Sequence, residues 1–319
     1  MDIVNCKRNL GDLDQYFSQY HQNLHSALFE KISSESLGHI LDLPVFSRSY
    51  FGTIPTNDYI RWFGKDTPIE KSPAGHPDIN GRCYNFGFIA EATRKTDENQ
   101  CAQEYASNIT HFREFIARNQ INPRDAYILF ITPKLHNFTY ITLKNSRRDH
   151  PTELYQIIPI ETSTLTAILE IKMMAFTIMR VDLRMIFNTI YSELYESTSL
   201  ENFRRRVINK IKEWKNDVLK CEKNACFGLL VYDLMQNQER ELDITELEIR
   251  MKHKRKIQQF SKFAECDITD TWILDALLTN GFARKTGRSF GNVERVEFVP
   301  NQDINNRFER YKLKLESLA

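Results

Sequence analysis

Seven consecutive residues, Ala126 to Thr132 (AYILFIT), carry no charge and do not alternate between apolar and polar side chains. A run this short and this uniformly apolar reads as a strand buried inside a sheet. Its neighbours fit the same picture. Tyr84 to Thr93 reads as a strand that runs apolar through Phe88 and Ile89 and ends in the polar Glu91 and Thr93. Asn99 to Asn119 reads as a helix. Phe138 to Leu143 and Tyr155 to Ile160 read as two further strands, and Thr162 to Tyr195 as one or two helices. Strands interleaved with helices in this order predict an α/β fold, a mixed sheet flanked by helices. Upstream, Leu13, Phe17, Tyr20, Leu24, Leu28 and Ile32 form one apolar stripe, so Leu10 to Leu43 reads as helical. Pro44 to Pro73 is interrupted by Gly and Pro and reads as short strands and loops.

Ser and Thr cluster between Tyr191 and Leu200, which places a boundary between a first domain at residues 1–195 and a second at 196–319. The second reads as a basic helix (Phe203 to Lys220), a helical run (Ala225 to Met235) and two shorter helices near Ile244 to Lys256 and Asp270 to Asn280. A β-hairpin within Gly281 to Pro300 completes it. Helices followed by a hairpin give the outline of a winged helix. The whole chain of 319 residues is nearly neutral, with 43 basic and 42 acidic side chains, so nucleic acid would have to be held by local patches. No apolar run reaches membrane-spanning length and no secretory signal opens the chain. Its six cysteines are scattered, which suits a reducing cytoplasm and offers no zinc knuckle.

The chemistry concentrates between Gly75 and His111. Asp78 follows a proline in GHPDIN, and Glu91 comes thirteen residues later at the end of an apolar strand. A hairpin would set the two carboxylates side by side. Like charges held that close repel unless a divalent cation lies between them. Mg²⁺ takes one or two carboxylates together with waters and phosphate oxygens. Asp78, Glu91 and the carbonyl of Ala92 would supply such a shell, with Mn²⁺ able to take the place of Mg²⁺. If the strand continues, alternation puts Thr93 and Lys95 on the face of Glu91, where a hydroxyl or ammonium group would orient a water and offset charge at phosphorus. Gln100 and Glu104 are four apart on the next helix and His111 lies seven further on, in reach of the same site. Glu35 is one candidate for an upstream acid from the first helix, where several acids would serve equally. Taken singly, Asp78 would pass for a turn residue and Lys95 for a surface lysine; the combination carries the reading.

The string PDIN…FIAEATRKT…Q-x-x-x-E…H-F, followed by AYILFITP, resembles the nuclease domain of the AlwI-type restriction endonucleases, over Gly75 to Ile160. That family includes type IIS and nicking enzymes within the PD-(D/E)xK nuclease superfamily. The resemblance implies a restriction-endonuclease-like sheet. It also implies Thr93 in place of the usual lysine of the last motif, as E-x-T, with Gln100, Glu104 and His111 supporting the site. A large recognition domain, present in the family, has no obvious counterpart in this sequence.

The reading that results is an Mg²⁺-dependent endonuclease acting on double-stranded DNA in the prokaryotic cytoplasm. Arg204, Arg205, Lys252, Lys254, Arg255, Lys256, Arg284, Lys285 and Arg288 are its candidate DNA contacts. Residues 196–319 carry 23 basic and 20 acidic side chains, net +3, so the clustering matters more than the total. One such site cuts one strand, so a double-strand break needs a homodimer or a partner subunit supplying a second site or sequence recognition. Two alternatives stand beside it. One is a nicking or cleavage subunit of a heteromeric restriction, defence or mobile-element complex. The other, of a different class, is a non-catalytic DNA-binding regulator.

Overall fold

The computed structural model describes residues 1–83, 86–100, 105–149, 156–174, 183–235, 241–242, 283–290 and 293–298. The chain divides into two compact units. The first comprises residues 1–173 and 180–214, and the second residues 174–179 and 215–319.

In the first unit β7 (Ala126–Thr132) is buried at every residue. It runs parallel to β6 (Gly87–Ala92) on one side and to β8 (Gln156–Glu161) on the other. A strand flanked on both edges and covered on both faces has no use for polar side chains, which explains the unbroken apolar run. β6 pairs antiparallel with β5 (Ile79–Arg82), β5 antiparallel with β2 (Tyr59–Trp62), and β2 parallel with the short β1 (Val45–Phe46). The result is a six-stranded mixed sheet in the order β1-β2-β5-β6-β7-β8, flanked by helices, as the sequence predicts. A separate small ribbon, β3 (Lys65–Asp66) and β4 (Ile69–Glu70), branches from the segment between β2 and β5.

Pleating sorts the side chains. Trp62, Ile79 and Ala90 occupy one face of β2, β5 and β6, and Arg61, Asn80 and Ile89 the other. Helix α3 (His25–Leu41) packs on the first face, and its Glu30 accepts from Trp62 Nε1 at 3.1 Å. Helix α4 (Tyr105–Asn119) packs against β6 on the second face. Two glycines permit this stacking. A Cβ on Gly87 would lie 2.6 Å from Ile121 Cδ1 and 3.0 Å from Phe115 Cε1, and one on Gly81 would enter the ring of Phe88. Trp62, Phe88, Phe112, Tyr127 and Phe130 are fully buried, and each such side chain contributes about 1.5–3 kcal/mol by leaving water.

Three expectations need correction. Phe138 to Leu143 is not a strand but part of helix α5 (Asn137–Asp149). β7 and β8 are parallel neighbours, so the chain must cross over between them, and a helix makes that crossing. Burial follows the helical period there: Thr139, Tyr140, Leu143 and Ser146 are inside, while Phe138 and Ile141 are exposed. The stretch Leu10 to Leu43 is also not one helix. It breaks into α1 (Ile3–Gly11), α2 (Leu13–Ser18), a single 3-10 turn at Gln22–Leu24, and α3. Asp12 caps α2, its carboxylate accepting from Gln15 N at 3.0 Å, and so restarts the chain. Finally, Phe203 to Lys220 and Ala225 to Met235 belong to one helix, α8 (Leu200–Met235).

Helices α6 (Thr162–Met174) and α7 (Leu183–Glu196) follow β8. The first unit extends past the Ser/Thr-rich boundary segment into the start of α8, because Phe203, Val207 and Ile211 are buried there. The second unit contains a three-stranded antiparallel sheet, β10 (Ala283–Phe290), β11 (Val293–Phe298) and β9 (Glu241–Leu242), in the order β10-β11-β9. β10 and β11 are the hairpin expected within Gly281 to Pro300. The two shorter helices of the winged-helix outline fall on residues outside those described. Among the described residues no helix is long and apolar enough to cross a membrane.

Candidate active site at the ends of strands β5 and β6

The antiparallel register of β5 and β6 pairs Ile79 with Ala90. One residue further along, it sets Asp78 opposite Glu91, on the face covered by α4. The half-buried Asp78 is anchored across the strands: its Oδ2 accepts the N–H of Ala92 at 2.9 Å. The Asp78 backbone is fixed as well, its carbonyl accepting from Phe63 N at 3.0 Å and from Ser72 Oγ at 3.2 Å. The antiparallel pairing of β5 and β6 therefore puts Asp78 and Glu91 at matching strand ends.

Glu91 is buried, and its Oε1 has no hydrogen-bond partner among the described residues. Nδ1 of His111, on α4, lies 3.5 Å away, also buried and without a hydrogen bond among the described residues. Leaving a carboxylate oxygen unsatisfied inside a protein is costly, so such an oxygen points to something that binds there. Among the described residues no three His, Cys, Asp or Glu side chains form a metal-holding cluster. Two carboxylates are what Mg²⁺ ordinarily takes from a protein, so the donor set fits that ion.

Thr93 follows the end of β6 and continues its ladder, its N–H donating to the Ile131 carbonyl at 2.9 Å. Its buried hydroxyl accepts from Lys95 N at 3.3 Å. The strand stops at Ala92, so alternation does not extend to Lys95, whose exposed side chain sits in the loop beyond. Gln100 lies on a 3-10 turn (Glu98–Gln100) rather than on α4, and it is 1 % exposed. Its Nε2 lies 2.5 Å from the Lys95 carbonyl, 2.6 Å from Thr132 Oγ1 and 2.9 Å from the Lys134 carbonyl. Its Oε1 accepts from His136 N at 2.9 Å. One side chain thus ties together the loops leaving β6 and β7. Glu104 lies outside the described residues.

Sequence reasoning looked for an upstream acid around Glu35. That residue is instead held by the N-terminal amine at 2.6 Å and faces Lys31. The acid near the site is Glu30, five residues earlier. Its Oε2 accepts from Trp62 Nε1, from Ser72 N at 2.8 Å and from Ser72 Oγ at 3.0 Å. Burial raises the Glu30 carboxyl above its ordinary range, the donated hydrogen bonds oppose the rise, and the charge of Glu91 adds to it. The signal that could have singled out Glu30 is its place among Ala27, Leu28, Phe29 and Ile32, where a charge is out of keeping with its neighbours.

A carboxyl raised on folding holds its proton more tightly in the native state. Its contribution is complete below the ordinary glutamate value and is lost as pH rises through the raised one. Glu30→Gln keeps an acceptor and removes the charge. It is therefore expected to flatten the fall in Tm from about pH 4.5 upward, measured in metal-free buffer. Parallel Tm curves for the two proteins would count against this account.

The expected DNA contacts fare differently. Arg204 Nε donates to Glu161 Oε1 at 2.9 Å, and its Nη2 donates to Glu161 Oε1 at 2.6 Å and to the Leu135 carbonyl at 2.8 Å. It is a bracket for the loop after β7 and is not available as a surface cation. Arg206 is likewise paired with Glu193 and Glu196. Arg205 is the exposed member of the triplet. Arg284, Lys285 and Arg288 lie on β10, and Lys252, Lys254, Arg255 and Lys256 lie outside the described residues.

A carboxylate pair at paired strand ends of a mixed α/β sheet is an arrangement suited to metal-assisted hydrolysis. Residues 63–168 match the family model of the AlwI restriction endonucleases, a span that contains Asp78, Glu91, Thr93, Gln100 and His111. Among solved structures, the small subunit of the heterodimeric restriction endonuclease R.BspD6I is similar at a TM-score of 0.46 and 14 % identity. That match covers 66 % of this chain and 98 % of that one. No curated protein sequence matches the chain.

Proposed function

We propose that the chain is a metal-dependent DNA endonuclease whose site is built on Asp78 and Glu91. The observation that carries this reading is the buried, unsatisfied Glu91 oxygen opposite Asp78, inside the segment that matches the AlwI family. Asp78 and Glu91 hold the cation, Mg²⁺ or Mn²⁺, with the Ala92 carbonyl beside them. When bound, the ion supplies an activated water and charge stabilisation at the scissile phosphate. Asp78 is pre-set by its bond to Ala92 N, so the carboxylates need not reorganise to receive it. The Thr93 hydroxyl, fixed by the Lys95 amide, orients the attacking water. Lys95 brings positive charge to the phosphate from the adjoining loop. His111 borders Glu91 at 3.5 Å, and Glu104 completes the set of supporting residues.

The substrate is double-stranded DNA in the prokaryotic cytoplasm, and the setting is restriction. The second unit, with Arg284, Lys285 and Arg288 on its hairpin, serves DNA or partner binding. Incubation of supercoiled plasmid with Mg²⁺ tests the reading. Relaxed circles are expected from a nicking subunit, and linear DNA from paired sites in a homodimer or with a partner subunit. DNA binding without any cleavage, with Mg²⁺ and Mn²⁺ and across varied sequences, would favour a non-catalytic regulator instead.

A further inference from the structure

Beside the carboxylate pair, on the same face of the sheet, lies a cleft of about 350 Å³. His111 belongs to both, lining the cleft and bordering Glu91, and His76 and Pro77 lead from the cleft directly into Asp78. Three arginines converge on it. Arg61 of β2 and Arg82 of β5 come from adjacent antiparallel strands, where the pairs Tyr59–Arg82 and Arg61–Asn80 place all four side chains on one face. Arg118 enters from α4, seven residues after His111 and so on the same helical face. All three charges act on the hydroxyl of Tyr59, whose proton burial otherwise makes harder to remove.

The described residues leave Arg61, Arg82 and Arg118 without ion-pair partners, and among them Glu114 is the one carboxylate on the cleft wall. Arg61 Nε and Asn80 Oδ1 are buried without a hydrogen-bond partner. The Arg61 N–H left open beside guanidinium groups that make no ion pair describes a receptor for an anion, toward which the Asn80 amide can turn its N–H donors. A guanidinium fork matches phosphate geometry in particular.

We infer that Arg61, Arg82 and Arg118, with Asn80 and Tyr59, form a phosphodiester-binding subsite that holds the DNA strand next to the bond facing Asp78 and Glu91. The inference rests on the nuclease reading for the identity of its ligand. The continuity of the cleft with Asp78 favours a phosphate on a strand that continues into the carboxylate pair over a free phosphate compound.

The test measures binding without cleavage. Fluorescence anisotropy of a labelled DNA duplex, in EDTA and over a series of salt concentrations, compares the full-length protein with Arg82→Gln, Arg118→Gln and the double variant. Arg118 is exposed, so its substitution leaves the core intact, and unchanged Tm values verify folding. Each loss is expected to make the salt dependence shallower by about 0.9 in log–log slope, and the double variant to bind about tenfold more weakly, uniformly across sequences. Glu114→Gln has the opposite sign and is expected to tighten binding about twofold. Wild-type affinity and slope in folded Arg82→Gln and Arg118→Gln proteins overturn the assignment, as does a wild-type protein without affinity for DNA. A second arm replaces DNA by inorganic phosphate at matched ionic strength. A rise in Tm that the arginine variants lose, with DNA binding unaltered, would assign the cleft to a free phosphate compound and also overturn it. The two readings fail separately: a protein that binds through these arginines but never cuts removes the nuclease and keeps the subsite, and one that cuts yet binds unchanged does the reverse.

Discussion

Glu91→Gln protein is expected to cut plasmid at least about a thousandfold more slowly than wild type in Mg²⁺, with its fold and DNA affinity retained. Gln matches Glu in shape, so packing against α4 is preserved. What is lost is the charge that faces Asp78 and attracts a cation. Asp78→Asn is expected to fall in the same range. The double variant should be little worse than either single one, because residues that hold one ion act as a unit. DNA binding in EDTA acts as the control, since removing a carboxylate from the path of a polyanion leaves affinity equal or slightly higher. Residual cutting within tenfold of wild type in both single variants would place the reaction elsewhere in the chain.

Gln100→Ala is the substitution with the largest expected effect on stability among those that leave the carboxylates intact. It strips buried partners from the Lys95 and Lys134 carbonyls, from Thr132 Oγ1 and from the His136 amide. A buried polar group left unsatisfied costs about 1–3 kcal/mol. Water will reach some of these groups, so a net loss of about 2–4 kcal/mol is expected. For a domain of this size that lowers Tm by roughly 5–12 °C. Activity should fall further than stability alone predicts, because the loops that Gln100 joins carry Thr93 and Lys95 to the site. Thermal melts and cleavage assays well below Tm separate the two effects. A Tm within 2 °C of wild type would show that Gln100 is not the tie described.

The sheet was legible where burial is uniform. Ala126–Thr132 announced a strand covered on both faces, and Gly87–Ala92 announced one with a carboxylate at its end, because composition alone records such burial. Phe138 to Leu143 misled for the opposite reason. Its aromatic and β-branched residues favour a strand locally, but the parallel pairing of β7 and β8 demands a crossover, a requirement set by residues far away in sequence. The placement of Asp78 and Glu91 at matching strand ends was legible because adjacent antiparallel strands carry them. Glu30 could not be separated from the other acids of its region, since its approach to the site depends on Trp62 and Ser72. The arginine cleft was invisible in the same way. Arg61, Arg82 and Arg118 are isolated in sequence, and only strand pairing and the placement of α4 collect them.

The one-to-one opposition of Asp78 and Glu91 has a consequence for how this segment can diverge. Side chains of paired strands alternate with a period of two, so a slip by a single position would turn Glu91 away from Asp78 and toward α3. The Asp78–Ala92 bond pins that alignment from one end, and the Cys83–Phe86 bond, at 2.8 Å, pins it from the other. Between these two pins, an insertion or deletion preserves the site only when both strands change by the same even number of residues. Descendants of this sequence should therefore keep the spacing of β5 and β6 together with Gly81, Gly87 and Glu91, a reading frame written in structure.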